Sequence, residues 1–165
     1  MQKTVKQLYR SRSNKNTKQR LLSAALFLLV FVGLTDAAYL SVEHFRGVIP
    51  ECSIINGCEQ VLTSSYSTIG PVPLAVLGAF YYAIMFFALI YYFDSRNKKA
   101  LKFIAISSFW GLLVSITLVI IQIIAIGAFC FYCLLSATAT TGIFLLSVTL
   151  VQKDISHLFK SILRR

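Results

Sequence analysis

The sequence predicts an all-α membrane protein: a four-transmembrane-helix bundle with an extracytoplasmic loop and short helix between helices 1 and 2. Three observations carry this expectation. Of 165 residues, 57% are hydrophobic and only 13% charged, against about 25% charged in an ordinary soluble domain. Four apolar runs each have the length of a bilayer crossing. The basic residues behind the net charge of +10 lie between those runs rather than over one surface, which argues against a nucleic-acid-binding face.

Residues 1–20 carry seven basic residues and no acid, from Lys3 to Arg20. Few are apolar, and the expectation is a disordered, cytoplasmic basic arm near anionic lipid. The first span covers about 21–42; at 1.5 Å per residue its roughly 22 residues cross a hydrocarbon core of about 30 Å. A cleaved leader fits poorly, because the apolar run is longer than a signal h-region and no small-x-small site follows. Residues 43–72 form the one long polar interval, with Glu43, His44, Arg46, Glu51, Glu59, an Asn56-Gly57 pair and prolines at or near its edges. Glu59–Ser67 suits a short surface helix. The second span is placed at about 73–93, opened by Pro73 as a first helical turn tolerates. The third lies at about 103–126. Gly127 breaks it, and the fourth covers about 129–151. From Lys153, apolar residues at 155, 158, 159, 162 and 163 follow the period of an amphipathic helix lying on the cytoplasmic membrane surface. This divides the chain into an arm (1–20), a membrane domain (21–152) and a tail (153–165).

Four spans put both termini on one side. The arm, the 94–102 turn and the tail hold seven, four and four basic residues, and the 43–72 interval only Arg46. The positive-inside rule places the first three in the cytoplasm. The interval and the turn at Gly127 then face outward, and all four cysteines with them, on the side where disulfides persist.

Those cysteines form two pairs, Cys52 with Cys58 and Cys130 with Cys133. The second is a CxxC at a helix start, where unsatisfied N–H groups and the positive dipole end favour a thiolate. The first, with its Asn-Gly turn, suits a mobile loop pair. A mobile pair beside a fixed pair can relay two electrons at a time by thiol–disulfide exchange. A four-cysteine zinc site fits the C-x₅-C spacing poorly. A structural tetraspan with disulfide-braced outer loops is the rival from another class. A transporter would want paired mid-span charges or internal repeats, and neither is visible. No GxGxxG fingerprint for a flavin or nicotinamide occurs, so the electron acceptor is expected to be lipid-soluble, a quinone. Asp36 and His44 could move protons, although Asp36 lies near enough to the interface to be simply hydrated. Gln122 and Trp110 are read as packing or interfacial residues.

Cys52-x₅-Cys58, Val61-Leu62-Thr63-Ser64-Ser65-Tyr66, the run from Gly70-Pro71 to Leu77-Gly78, and Cys130-Phe131-Tyr132-Cys133 together resemble the vitamin K epoxide reductase family, in particular its prokaryotic branch. The likeness covers about residues 20–152. It implies a four-helix bundle around a ubiquinone- or menaquinone-type quinone in a bacterial or archaeal cytoplasmic membrane. It implies no metal and no flavin. It further implies catalytic roles for Cys52, Cys58, Cys130 and Cys133, with Cys133 facing the quinone, and a polar contact from Ser64 to the quinone. Phe129 and Phe80 are further quinone-contact candidates. The expected activity is reoxidation of an extracytoplasmic thioredoxin-like partner, supporting disulfide-bond formation. Some bacterial members carry a fused thioredoxin-like domain; with Arg165 as the last residue here, a separate partner is expected. Animal members have a tyrosine four residues after the CxxC where this chain has Ala137, so a naphthoquinone or vitamin K epoxide reductase proper is the alternative.

Overall fold

The computed structural model describes residues 2–50, 52, 57–95 and 97–162, with side chains from 17 to 152. Asn56 of the expected turn, Arg96, and Leu163 to Arg165 of the expected tail lie outside the described residues. The elements in order are α1 (Gln2–Arg46), α2 (Cys58–Leu62), a two-residue antiparallel pair β1 (Thr68–Ile69) and β2 (Val72–Pro73), α3 (Leu74–Ser95), α4 (Lys98–Ile121) with a π-helical turn at Gln122–Ile126, and α5 (Phe131–Ile162). Four stretches are long and apolar enough to cross a membrane: Thr17–Arg46, Leu74–Ser95, Lys98–Ile126 and Phe131–Gln152. The molecule is a four-helix membrane bundle.

Local chemistry sets the ends of these helices. α1 runs past the expected end near Val42, because Glu43, His44 and Arg46 are tolerated on a helix that has left the apolar layer. It stops at Gly47, whose φ of 67° is the left-handed conformation glycine adopts most easily. The Gly47 N–H donates to the His44 carbonyl and the Val48 N–H to that of Glu43, both at 3.1 Å, a Schellman closure. The basic arm, expected to be disordered, continues α1 as helix from Gln2. The expected helix over Glu59–Ser67 is shorter. Thr63 donates its hydroxyl to the Glu59 carbonyl at 2.6 Å and Ser64 to that of Val61 at 2.7 Å, which satisfies the last carbonyls of α2 and turns the chain. α4 starts from an N-cap, Asn97, whose Oδ1 accepts the Lys99 N–H at 2.9 Å. The tail from Lys153 is an unbroken continuation of α5, not a separate surface helix.

The bundle is packed at one end and open at the other. Leu26 and Val30 of α1, Met85 and Leu89 of α3, Leu101 and Ile104 of α4, and Ile143 and Leu150 of α5 are buried in one cluster on the side of the α3–α4 turn. Lipid chains are as apolar as these side chains, so close packing and interhelical polar contacts hold the helices together rather than exclusion from water. The Tyr82 hydroxyl meets the Ser136 carbonyl at 2.9 Å and the Thr140 hydroxyl at 2.7 Å. The hydroxyls of Ser108 and Ser147 meet at 3.3 Å. Toward the other end the helices part, and the connection between α1 and α3 covers the gap.

Candidate functional site

The CxxC is delivered by a sharp reversal. The π-turn ends at Gly127, φ 69°, and the Ala128 N–H donates to the Gln122 carbonyl at 3.2 Å. Two residues later α5 begins, with Cys130 in the N-cap place. Its carbonyl accepts the Leu134 N–H at 3.1 Å, and its own N–H donates to Gln122 Oε1 at 3.0 Å. Gln122, expected only to pack, therefore ties the CxxC backbone to α4. A lone glutamine on an apolar helix gives no sequence sign of that bond; the π-turn, a feature frequent at functional sites, is what aims it.

The Cys130 sulfur accepts hydrogen bonds, foremost from the Cys133 thiol and then from the Cys133 and Tyr132 backbone N–H groups. Burial works in the opposite direction, and the net result is a thiol held down at about 7. The dipole end of α5 acts in the same sense. Cys130 and Cys133 are both free thiols. In reduced protein, alkylation of Cys130 by a small neutral reagent is expected to rise as pH climbs through about 7. In Cys133→Ala the rise should move up toward the ordinary thiol value of about 8.5, because the leading hydrogen bond is gone. Coincident profiles for the two proteins would remove Cys133 as the cause.

Cys52 and Cys58 form a disulfide with Cα atoms 5.9 Å apart. Cys58, 2% exposed, packs in one cluster with Val61, Ala128 and the fully buried Cys130, and Cys52 and Cys133 lie against it. The approach is close because Gly57 has no side chain. A Cβ there would sit 2.5 Å from the Phe129 carbonyl oxygen and 2.9 Å from its nitrogen. The structure thus brings together the two pairs that the sequence separates by some seventy residues.

Beside this cluster lies a cavity of about 1160 Å³ between the parted helices and the connection above them. Among the cysteines, Cys133 lines it, with Tyr132, Ser136 and Thr140 of α5. Ser64 lines it from the connection, partly buried, and His44 from the exposed end of α1. Leu40, Leu77, Leu118 and Val119 supply apolar wall, and Trp110 and Gln122 add to it from α4. Phe80 and Phe129 do not line it. On α3 the cavity face is Leu74, Leu77, Gly78 and Tyr81 at helical spacing, and Phe80 falls off that face, 67% exposed. Phe129 contributes its backbone under Gly57 while its ring points out.

Asp36 is buried, 7% exposed; it lines the cavity, and neither carboxylate oxygen has a hydrogen-bond partner among the described residues. The Tyr81 hydroxyl, also at the cavity wall, is likewise buried and unpartnered. Asp36 is the residue the sequence offered as a proton carrier or a simply hydrated group near a span end; Tyr81 escaped the sequence reading because it sits in an aromatic run. Among the described residues no group of three or more His, Cys, Asp or Glu side chains is gathered as a metal would need.

A family model described as the vitamin K epoxide reductase family matches residues 24–148. The matched segment contains all four cysteines, Ser64, Asp36 and Gln122. Among curated proteins compared with the chain, none matches.

Proposed function

From the chain's membership of the vitamin K epoxide reductase family, which makes it an integral-membrane oxidoreductase, we propose that it carries electrons from an extracytoplasmic thioredoxin-like dithiol to a membrane quinone. The observation behind this reading is the division of the cysteines. Cys58 and Cys130 share a buried cluster under the loop, and Cys133, one turn along α5, lines the cavity. One pair can receive electrons and the other can hand them on.

The steps balance. A partner thiolate attacks Cys52 and expels Cys58. Cys58 attacks Cys130 of a Cys130–Cys133 disulfide and expels Cys133. The partner's second thiolate resolves the bond at Cys52 and leaves as a disulfide, and Cys52 then attacks Cys58 and frees Cys130. The chain is left with Cys52–Cys58 closed and Cys130 and Cys133 as thiols, the arrangement found here. Two electrons have moved from the partner to the CxxC by exchange alone.

The cavity fits a quinone. Its volume is ample for a ring and the start of a tail, its walls are largely apolar, and the unpartnered polar atoms of Asp36 and Tyr81 are suited to carbonyl oxygens. Ser64, Asp36, Tyr81 and Cys133 would hold the headgroup. When bound, a quinone supplies the sink for two electrons and two protons. Ser64, its hydroxyl donated to the Val61 carbonyl, keeps its oxygen free as an acceptor and can rotate to donate. Gln122 holds the Cys130 backbone as the CxxC opens and closes.

The charge distribution supports cytoplasmic termini and extracytoplasmic cysteines. The Gly47–Pro73 connection and the α3–α4 turn lie at opposite ends of the bundle, as that topology requires. The test is thiol labelling of purified, reduced protein after addition of a short-chain benzoquinone or naphthoquinone. Rapid, quinone-dependent protection of Cys130 and Cys133 is expected, and the faster of the two compounds identifies the class. Slow oxidation indifferent to either would overturn the reading.

A further inference from the structure

The thiol chemistry leaves a buried carboxyl at the cavity wall unused. Asp36 sits on α1 opposite the start of α5, within electrostatic reach of Cys130 and Cys133. It is 93% buried by exposure (7% remaining), and both of its oxygens lack a partner. A buried polar group almost always has one, so an orphaned carboxyl in a cavity wall points to a ligand or a proton.

The surroundings select the proton. The other ionisable groups of the cavity wall are His44 of α1, Tyr66 of the connection, Tyr81 and Tyr82 of α3, and Tyr132 and Cys133 of α5, while α4 contributes only neutral polar groups; Cys130, behind the wall, is also within electrostatic reach of Asp36. Among the described residues no lysine or arginine lines the cavity. An unpaired carboxylate is the costly form in such a place, whereas the acid form carries one transferable proton.

We propose that Asp36 is the acid of the cavity, protonating the acceptor's oxygen as the Cys130–Cys133 bond closes. Closing that bond releases two electrons and two protons from two thiols. Asp36 gives one proton forward and takes one back from the thiol pair, and the second thiol proton makes up the two. The carboxyl ends as it began, and no outside reductant or oxidant is required. The proposal rests on the quinone reading above and adds a role for a residue that reading used only as a polar contact.

Three measurements on the full chain test it. Trp110 is the single tryptophan and lines the cavity, so quenching of its fluorescence by a short-chain benzoquinone reports binding. With that quinone raised until the quenching saturates, so that any loss of affinity is offset, Asp36→Asn should close Cys130–Cys133 at least about a hundredfold more slowly in a single turnover, the lower range for loss of a general acid. Asp36→Glu should recover part of the rate. Exchange of a dithiol with Cys52–Cys58 should be unchanged in both variants. In Cys133→Ala, where no electrons flow, infrared difference spectra should show a carboxyl C=O band that shifts when the quinone binds and is absent once Asp36→Asn is added. Closure of Asp36→Asn at the wild-type rate, or no quinone-sensitive carboxyl band, overturns the proposal while the quinone reading stands. An absence of quenching in wild type removes the quinone reading and this one with it. If Asp36→Asn does not fold, Asp36→Glu takes its place in the infrared arm, where the quinone-sensitive carboxyl band should change frequency.

Discussion

Replacing Cys133 by alanine is expected to abolish quinone-dependent turnover while a Cys58–Cys130 link still forms. Cys133 lines the cavity and Cys130 lies in the buried cluster with Cys58, so the substitution removes the outward thiol and spares the contact between the pairs. Without Cys133 there is no disulfide at Cys130 for Cys58 to open, and no thiol for Cys130 to close with when the acceptor is reduced. The loss should be at least about a thousandfold, the scale seen when the nucleophile of a covalent mechanism is removed. Mild oxidation followed by non-reducing peptide mapping should find Cys58 joined to Cys130. Turnover near the wild-type rate, or a Cys58 link found elsewhere, would show that the roles of the two thiols are assigned the wrong way round.

The second large effect concerns the approach of the loop. At Gly57 the backbone has φ of −151°, an extended value open to any residue, so the constraint is space and not conformation. A valine there must push the loop off the Ala128–Phe129 backbone. Overpacking of this kind costs about 1–3 kcal/mol, or roughly five- to a hundredfold in the docked population at about 1.4 kcal/mol per tenfold. Gly57→Val should slow transfer from the Cys52–Cys58 dithiol to the Cys130–Cys133 disulfide by about that factor. Quinone-driven closure of a pre-reduced CxxC should be unchanged, since it does not use the loop. Stopped-flow kinetics of the two half-reactions separate the outcomes. Equal slowing of both would mean that Gly57 supports the whole bundle, and no slowing of either would mean that the loop does not need to dock.

Much of the fold was legible because apolar runs near twenty residues are among the strongest signals a sequence carries. The run read at 73–93 is found at Leu74–Ser95, and the one at 129–151 at Phe131–Gln152. The cysteine pairs were legible for their spacing, and the family for its cysteines, loop serine and glycine-proline run taken together. The directions of side chains were not. A helix that is apolar all round has no polar face to mark its inner side, so Phe80 and Tyr81 look equivalent until the bundle turns one outward and the other to the cavity. Gln122 fails to stand out, and Asp36 cannot be told from a hydrated carboxyl, for a related reason. Single polar residues near span ends are common, and only the π-turn and the parted helices give these two something to face. The extent of α1 was misjudged because hydropathy reports where the lipid ends, whereas Gly47 reports where the helix ends.

The packed end and the open end of the bundle have a bioenergetic meaning. The disulfide, the CxxC, Asp36 and the cavity that Cys133 lines all belong to the open end, and the other end holds the buried cluster of Leu26, Val30, Met85, Leu89, Leu101 and Ile104. On the proposed reading electrons would enter and leave, and protons would be exchanged, on one side of that cluster. A charge carried across a bilayer couples to the membrane voltage by about 2.3 kcal/mol per 100 mV; turnover as proposed carries none. On the proposed reading the protein would be an electroneutral oxidant supply. It would draw on the membrane quinone pool without drawing on the voltage, and would run at the same pace in an energised membrane as in a collapsed one.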